Sequence, residues 1–277
     1  MNRLEKAFRN LDARGERAFL PFLVAGDPDP GTFAIIARAI EPHADIMEFG
    51  IPYTDPIADG EVIQAADARA LAAGTTFSKG CDLIAGVRAF TEKPIVVLTY
   101  ANVVGVGRVM EESLAAFSHA GIDGIIIADV PAEEAAPFKA AIERHGMVLI
   151  SLAAPTTTDE RLKAIASQAI GFLYLIAIKG VTGARANLLD ETRATIQRVT
   201  RVLGKKQHVP VCVGFGISSP NHVREIVKLG AGGVIVGSAI VNIIGKNVQN
   251  KELMITKVTQ FTKDLKDATK NTTEIKG

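Results

Sequence analysis

Eight short apolar runs rich in β-branched residues, each followed by a longer stretch of helical periodicity and each bounded by Gly, Pro or Asp, predict an α/β fold. In order the runs are AFLPFLVAG from Ala18, DIMEFG from Asp45, PIVVLTY from Pro94, GIIIADV from Gly124, VLISLAAP from Val148, GFLYLIAI from Gly171, PVCVGFG from Pro210 and GGVIVGS from Gly232. Strands of such continuous hydrophobicity belong to a parallel sheet covered on both faces. Eight units close most simply into a (β/α)8 barrel of the TIM type. An open doubly wound sheet is the alternative, but nothing resembling GxGxxG follows the first run, where such a fold usually holds a dinucleotide.

The remaining elements follow from local signals. Residues 1–14 form a charged amphipathic segment that reads as an extra N-terminal helix, and residues 250–266 read as a closing helix before a polar tail. Gly121, Gly146 and Gly230 stand where helices should stop, while Ser219 followed by Pro220 is an N-cap with proline at the first helical position. No low-complexity linker interrupts the alternation. The 277 residues therefore suit a single barrel domain over 1–277, since such barrels run to about 250 residues as one unit.

A net charge of +1 with basic and acidic residues interleaved offers no broad positive field for nucleic acid or an anionic membrane, which points to a small substrate. Cys81 and Cys212 lie far apart with no CxxC, so neither a disulfide framework nor a zinc site follows, and a reducing, cytoplasmic setting is expected. Residues 1–14 lack the apolar stretch of an export signal, and no run reaches the roughly 18 apolar residues of a membrane span.

Barrel active sites gather at the C-terminal ends of the strands. Glu48 lies near the end of the second strand. At period two it shares a face with Ile46 and Gly50, which aims it into the barrel mouth and leaves Met47 and Phe49 facing the helices. A structural Glu paired with a base is the alternative reading. The nearest Lys or Arg in sequence is Arg38, however, and an unpaired buried carboxylate is costly enough to need a reason. The following loop, IPYTDPIADG, is stiffened by Pro52 and Pro56 and presents Asp55 and Asp59. Either acid also fits ordinary turn chemistry; a rigid loop folding back over the mouth would bring Asp59 to Glu48.

Three glycine-bearing turns follow late strands: GVTGA from Gly180, GFGISSP from Gly214 and GSA from Gly237. Glycine lets the main chain approach phosphate oxygens, helix N-termini favour anions, and barrels commonly bind phosphate after strands seven and eight. Ser238 adds a hydroxyl donor. None of His43, His119, His145, His208 and His222 falls at a strand's C-terminal end, so neither histidine catalysis nor a metal site is expected. Lys179 is the one lysine beside a strand end, where charge toward a phosphate competes with Schiff-base chemistry. With no Trp, an aromatic ligand would lie against Phe22, Tyr100, Tyr174 or Phe215, each of which also fits the core.

The segments FLVAGDP from Phe22, MEFGIPYTDPIADG from Met47, GVTGA from Gly180, GFGIS from Gly214 and GSAIV from Gly237 resemble the signatures of the tryptophan synthase alpha chain family. The proline-braced acidic segment is the most specific of them. The resemblance implies a carbon–carbon lyase that splits indole-3-glycerol phosphate into indole and glyceraldehyde 3-phosphate. It implies Glu48 as catalytic acid/base and Asp59 as the acceptor of the indole N–H. It also implies substrate contacts at Phe22, Tyr174, Thr182, Gly183, Phe215, Gly216, Gly237 and Ser238, with residues 179–191 as a mobile lid. No cofactor is implied in this chain. A beta chain carrying pyridoxal phosphate would be the partner in an α2β2 tetramer, with the loop 51–60 among the places where the two meet. The chain departs from the family's usual pattern at Glu61 (commonly Pro), Asp67 (frequently Asn) and Ile178 (Arg in many bacterial members), and ANVVGVGRV lacks the bulkier residues often found after the third strand. Another phosphate-binding barrel isomerase or synthase, or a non-catalytic regulatory subunit, are the competing readings.

Overall fold

Nine parallel strands form one ring in the computed structural model, which describes residues 1–176, 185–204, 209–214 and 216–270. They are β1 (Ala18–Val24), β2 (Met47–Gly50), β3 (Ile95–Thr99), β4 (Gly124–Ile127), β5 (Val148–Leu149), β6 (Ser151–Ala153), β7 (Leu173–Ile176), β8 (Val211–Gly214) and β9 (Gly233–Val236). The order is β5-β4-β3-β2-β1-β9-β8-β7-β6. The end strands β5 and β6 are consecutive in the chain, one residue apart. The fifth run of the sequence is thus one strand broken at Ile150: Val148 and Leu149 pair with β4, then Ser151 to Ala153 pair with β7. This change of partner closes the barrel, whose tilted strands require a register stagger around the ring. It also accounts for nine strands where eight runs are expected.

Alternation along each strand divides the core in two. Ala18, Leu20, Ile46, Val96, Ile126, Val148, Ile150, Cys212 and Ile235 fill the interior, while Phe19, Leu23, Met47, Phe49, Val97, Ile125 and Val213 pack outward against the helices. Residues 1–14 yield the expected helix at Arg3–Ala13, capped by a reciprocal box between Asn2 and Glu5. It buries Leu4, Phe8 and Leu11 in the interior cluster, where Phe8 lies 5.9 Å from the Phe172 ring. A Cβ at Gly124 or Gly171 would come within 3.3 and 3.2 Å of Leu4 Cδ1, so glycine there leaves room for the plug.

Helix boundaries follow the sequence signals. Gly121, Gly146 and Gly230 take φ of 76°, 77° and 96° just past helix ends, conformations that glycine adopts without steric cost. Ser219 accepts from the His222 amide at the start of Pro220–Lys228, and Asn250 caps Lys251–Ala268. Between β2 and β3 there are two helices, Glu61–Ala72 and Phe77–Arg88, where simple alternation supplies one. No described helix is long and apolar enough to cross a membrane.

Candidate active site

Glu48 lies in β2, paired in register with Phe22 of β1 and Val96 of β3. Period two sends it inward, as expected, while Met47 and Phe49 join the outer core. Its side chain is 1% exposed, and neither carboxyl oxygen has a hydrogen-bond partner among the described residues. Burial, and then the nearby Asp59 carboxylate, push its pKa up to about 8. A buried carboxyl without a cation stays protonated near neutrality and can both give and receive a proton. A structural ion pair, the competing reading from sequence, is not made among the described residues.

The proline loop separates its two acids. Asp55 is exposed and accepts from the Thr54 hydroxyl at 2.7 Å, which is local turn chemistry. Asp59 turns inward. Its amide bonds the Pro56 carbonyl at 3.0 Å, and its carboxylate accepts a 2.6 Å hydrogen bond from the Tyr100 hydroxyl. That hydroxyl in turn accepts from the Ala58 amide at 3.2 Å, which fixes the ring against the loop. Burial raises the Asp59 pKa by more than the Tyr100 hydrogen bond lowers it. Burial and the Asp59 charge together raise that of Tyr100, so the phenol remains the donor.

Small residues shape the space between the acids and the glycine turns. The Phe22 ring rests on Gly50 and Gly237, where a Cβ would come within 2.7 and 3.1 Å of it. Tyr174 rests on Gly214, where a Cβ would come within 2.5 Å. Tyr174 and Cys212 are both held neutral, first by burial and then by the Glu48 carboxylate, which places these groups together inside the barrel. Gly216 takes φ 45°, the left-handed region. Gly237 precedes the helix Ser238–Lys246, whose N-terminus has no side-chain cap; Ser238 at its first position is exposed. First-turn amides without an internal acceptor favour an anion. Phe22, Glu48, Asp59, Tyr174 and Gly237 therefore gather at one end of the barrel, and Gly216 and Ser238 follow the ends of β8 and β9 there. Thr182, Gly183 and Phe215, like Lys179 and the turn 180–184, lie outside the described residues.

Residues 8–270 match the family model of the tryptophan synthase alpha chain. The chain belongs to that family. Tryptophan synthase alpha chains from Methanoregula boonei and Vibrio cholerae are 43% and 41% identical to it, covering 97% and 98% of this chain and 98% and 100% of theirs. The solved tryptophan synthase alpha subunit of Legionella pneumophila superposes with a TM-score of 0.86 at 30% identity over 98% of this chain and 99% of its own. That of Pyrococcus furiosus superposes with a TM-score of 0.80 at 33% identity over 90% and 98%. The activity of the tryptophan synthase alpha family is cleavage of indole-3-glycerol phosphate in tryptophan biosynthesis, so this chain is a lyase subunit.

From the sequence, Tyr100 is legible only as a candidate aromatic wall and Asp67 only as a departure from the family pattern, and Asp27 is not singled out. Asp27, 1% exposed, is held by Arg69 through hydrogen bonds of 2.7 and 3.0 Å. Tyr100 stacks on Tyr53 with ring centroids 5.2 Å apart. Asp67 is a second buried acid beside Asp59. The one available signal was the alternation that turns Tyr100 inward at the end of β3.

Proposed function

We propose that Glu48 carries out both proton transfers of the cleavage and that Asp59 stabilises the charge it creates. Protonated Glu48 gives its proton to C3 of the indole ring, and positive charge develops at the ring nitrogen, where the Asp59 carboxylate accepts the N–H. The bond from C3 to the glycerol side chain then breaks, its electron pair restoring the aromatic ring. The hydroxyl on the departing carbon becomes the aldehyde of glyceraldehyde 3-phosphate, and its proton returns to Glu48. The acid ends as it began. Positioned proton transfer of this kind is worth roughly 10²- to 10⁴-fold in rate. The observation that carries the reading is the contrast between the two acids: Glu48 is buried with no hydrogen-bond partner among the described residues, and Asp59 is held by a phenol.

Phe22 and Tyr174 supply the aromatic walls, and the amides at Gly216, Gly237 and Ser238 hold the phosphate together with Gly183 and Phe215. Thr182 and the segment 179–191 act as the lid that excludes water. One barrel domain spanning 1–277 carries the whole site. The chain works in the cytoplasm as the alpha subunit of an α2β2 tetramer whose beta chain holds pyridoxal phosphate and receives the indole. Support for docking comes from Ile57 in the loop after β2, Val106 in the loop that precedes the helix Arg108–His119 and Val109 in the first turn of that helix, which are 82%, 76% and 55% exposed. The test is indole release from indole-3-glycerol phosphate by the purified chain, with and without a beta chain. Release that increases with the partner is expected, and inactivity under both conditions overturns the reading.

A further inference from the structure

Two helices carry opposite ends of the site, and they pack against each other. The helix Glu61–Ala72 follows Asp59 after the cap residue Gly60, and Gln64 near its start donates to the Asp59 carbonyl at 2.8 Å. The helix Ser238–Lys246 follows Gly237, and its uncapped N-terminus is the anion end of the site. Ile63, Ala66 and Ala70 of the first helix share one buried cluster with Val241 of the second and with Phe22 and Val24 of β1. Apolar packing is non-directional, so it holds the helices together without fixing where along each other they sit.

Arg69 adds the directional contact. From the first helix it donates through Nε and Nη2 to the two carboxylate oxygens of Asp27 at 2.7 and 3.0 Å, the parallel fork that a guanidinium makes with a carboxylate. Asp27 is anchored to the barrel itself: it is 1% exposed, and its amide donates to the carbonyl of Val24, the last residue of β1, at 3.1 Å. The same guanidinium lies against Gly245 of the second helix, where a Cβ would come within 3.2 Å of Nη1 and 3.5 Å of Cζ and Nη2. A side chain there would crowd the fork. Gly245 lies on the same helix as Ser238, about 10 Å along its axis at the usual helical rise, so whatever places Gly245 also places the N-terminal amides. We infer that Arg69 is a positioning residue: held on Asp27 and seated against Gly245, it locks the helix behind Asp59 to the helix whose N-terminus receives the phosphate, and so sets the span between the indole end and the phosphate end of the substrate. The cleavage needs both ends seated at once, because Asp59 must meet the ring nitrogen while the amides hold the phosphate. Lysine at this position would keep the charge and lose both the fork and its flat face.

This inference rests on the lyase reading, and it is tested by binding as well as by turnover. Arg69→Lys and Gly245→Ala are compared with the wild-type chain, each at a temperature well below its own melting point. Gly245→Ala keeps the ion pair, so the comparison stands even where Arg69→Lys fails to fold. Two ligands are titrated into the free chain and followed by amide NMR: inorganic phosphate, which occupies the anion end alone, and indolylpropyl phosphate, which reaches both ends and cannot be cleaved because it has no glycerol hydroxyls. In both variants the Kd of the two-ended ligand is expected to rise about fivefold or more, that of phosphate to stay within about twofold, and kcat/KM for indole-3-glycerol phosphate to fall about tenfold. A purely structural role lowers the melting point and leaves the ratio of the two affinities unchanged. An unchanged ratio therefore overturns the positioning role, whether both ligands weaken or neither does. If the wild type binds indolylpropyl phosphate and cleaves nothing, the lyase reading fails, while the ratio still judges the span. If the wild type binds neither ligand, the anion end fails and the inference falls with it.

Discussion

Tyr100 donates a 2.6 Å hydrogen bond to Asp59 from a ring that is itself stacked on Tyr53. The phenol keeps the Asp59 carboxylate in place although burial works against its charge. Tyr100→Phe removes the donor and keeps the stack. A hydrogen bond to a charged group contributes about 2 kcal/mol, so kcat should fall roughly thirtyfold. KM should change little, because Asp59 acts on charge that exists only after C3 is protonated. Steady-state kinetics check this, and an equal loss in kcat for Tyr53→Leu, which removes the stacked ring and leaves the Tyr100 hydroxyl, would show that the ring stack matters rather than the hydroxyl.

Glu48→Gln should abolish cleavage and stabilise the chain. The sign follows from the proton inventory. Unfolded, the carboxyl titrates near 4.5; folded, it titrates near 8. Between those values the folded state holds a proton that the unfolded state has released, so stability is fully present below pH 4.5 and declines as pH rises toward 8. At about 1.4 kcal/mol per pH unit the loss by pH 7 is on the order of 3 kcal/mol. Gln has no charge to desolvate. Melting curves of the two proteins should coincide near pH 4.5 and separate by several degrees at pH 8. A constant offset across that range would show that Glu48 is not the group responsible.

The reach of the sequence differs between these two acids. Glu48 is legible because strand periodicity settles which way residue 48 points and no base lies near it. Asp59 is only half legible: composition leaves it equal to Asp55, and the distinction comes from Tyr100, 41 residues away in sequence. The barrel is legible from the alternation of runs, but the break at Ile150 is not. A single apolar run carries no mark of the residue at which it changes partner, which is fixed by the stagger of the closed ring. Asp67 and the Asp27–Arg69 pair were hidden for a similar reason, since helix and loop acids look solvated until long-range packing covers them.

Arg69→Leu should destabilise the chain by about 3 kcal/mol. Asp27 is 1% exposed, and Arg69 supplies both of its side-chain hydrogen bonds. Burial already raises the Asp27 pKa by more than Arg69 lowers it. Without the guanidinium, a buried carboxylate is left uncompensated, which costs more than the pair itself contributed. Chemical denaturation of Arg69→Leu and of the double variant Arg69→Leu/Asp27→Leu checks this. The double variant should recover much of the loss, and failure to recover any of it would assign the loss to packing.

Lys266 separates stability from chemistry, because it lies at the other end of the barrel. From the last turn of Lys251–Ala268 it donates to Glu16 at 2.9 Å and to Asp45 at 2.8 Å, and the same Asp45 oxygen accepts the Phe19 amide at 2.8 Å. The closing helix is thereby tied to the loops entering β1 and β2. Burial alone would raise the Glu16 pKa, but the hydrogen bonds and charges of Lys266 and Arg14 outweigh it and lower it. The stability tied to Glu16 is therefore present above its unfolded pKa of 4.5 and is lost as pH falls through the folded value. Lys266→Met fills the same space without the ammonium and leaves two acids facing each other. It should cost about 2–3 kcal/mol at pH 7 and less in acid, where Glu16 protonates. Conservation of function is the other half of the expectation, since the N-terminal face of such barrels serves stability rather than catalysis. Melting curves at pH 7 and pH 4 with kcat/KM on the same samples test both halves; a drop in kcat/KM at temperatures well below melting would show that the two ends of the barrel are coupled.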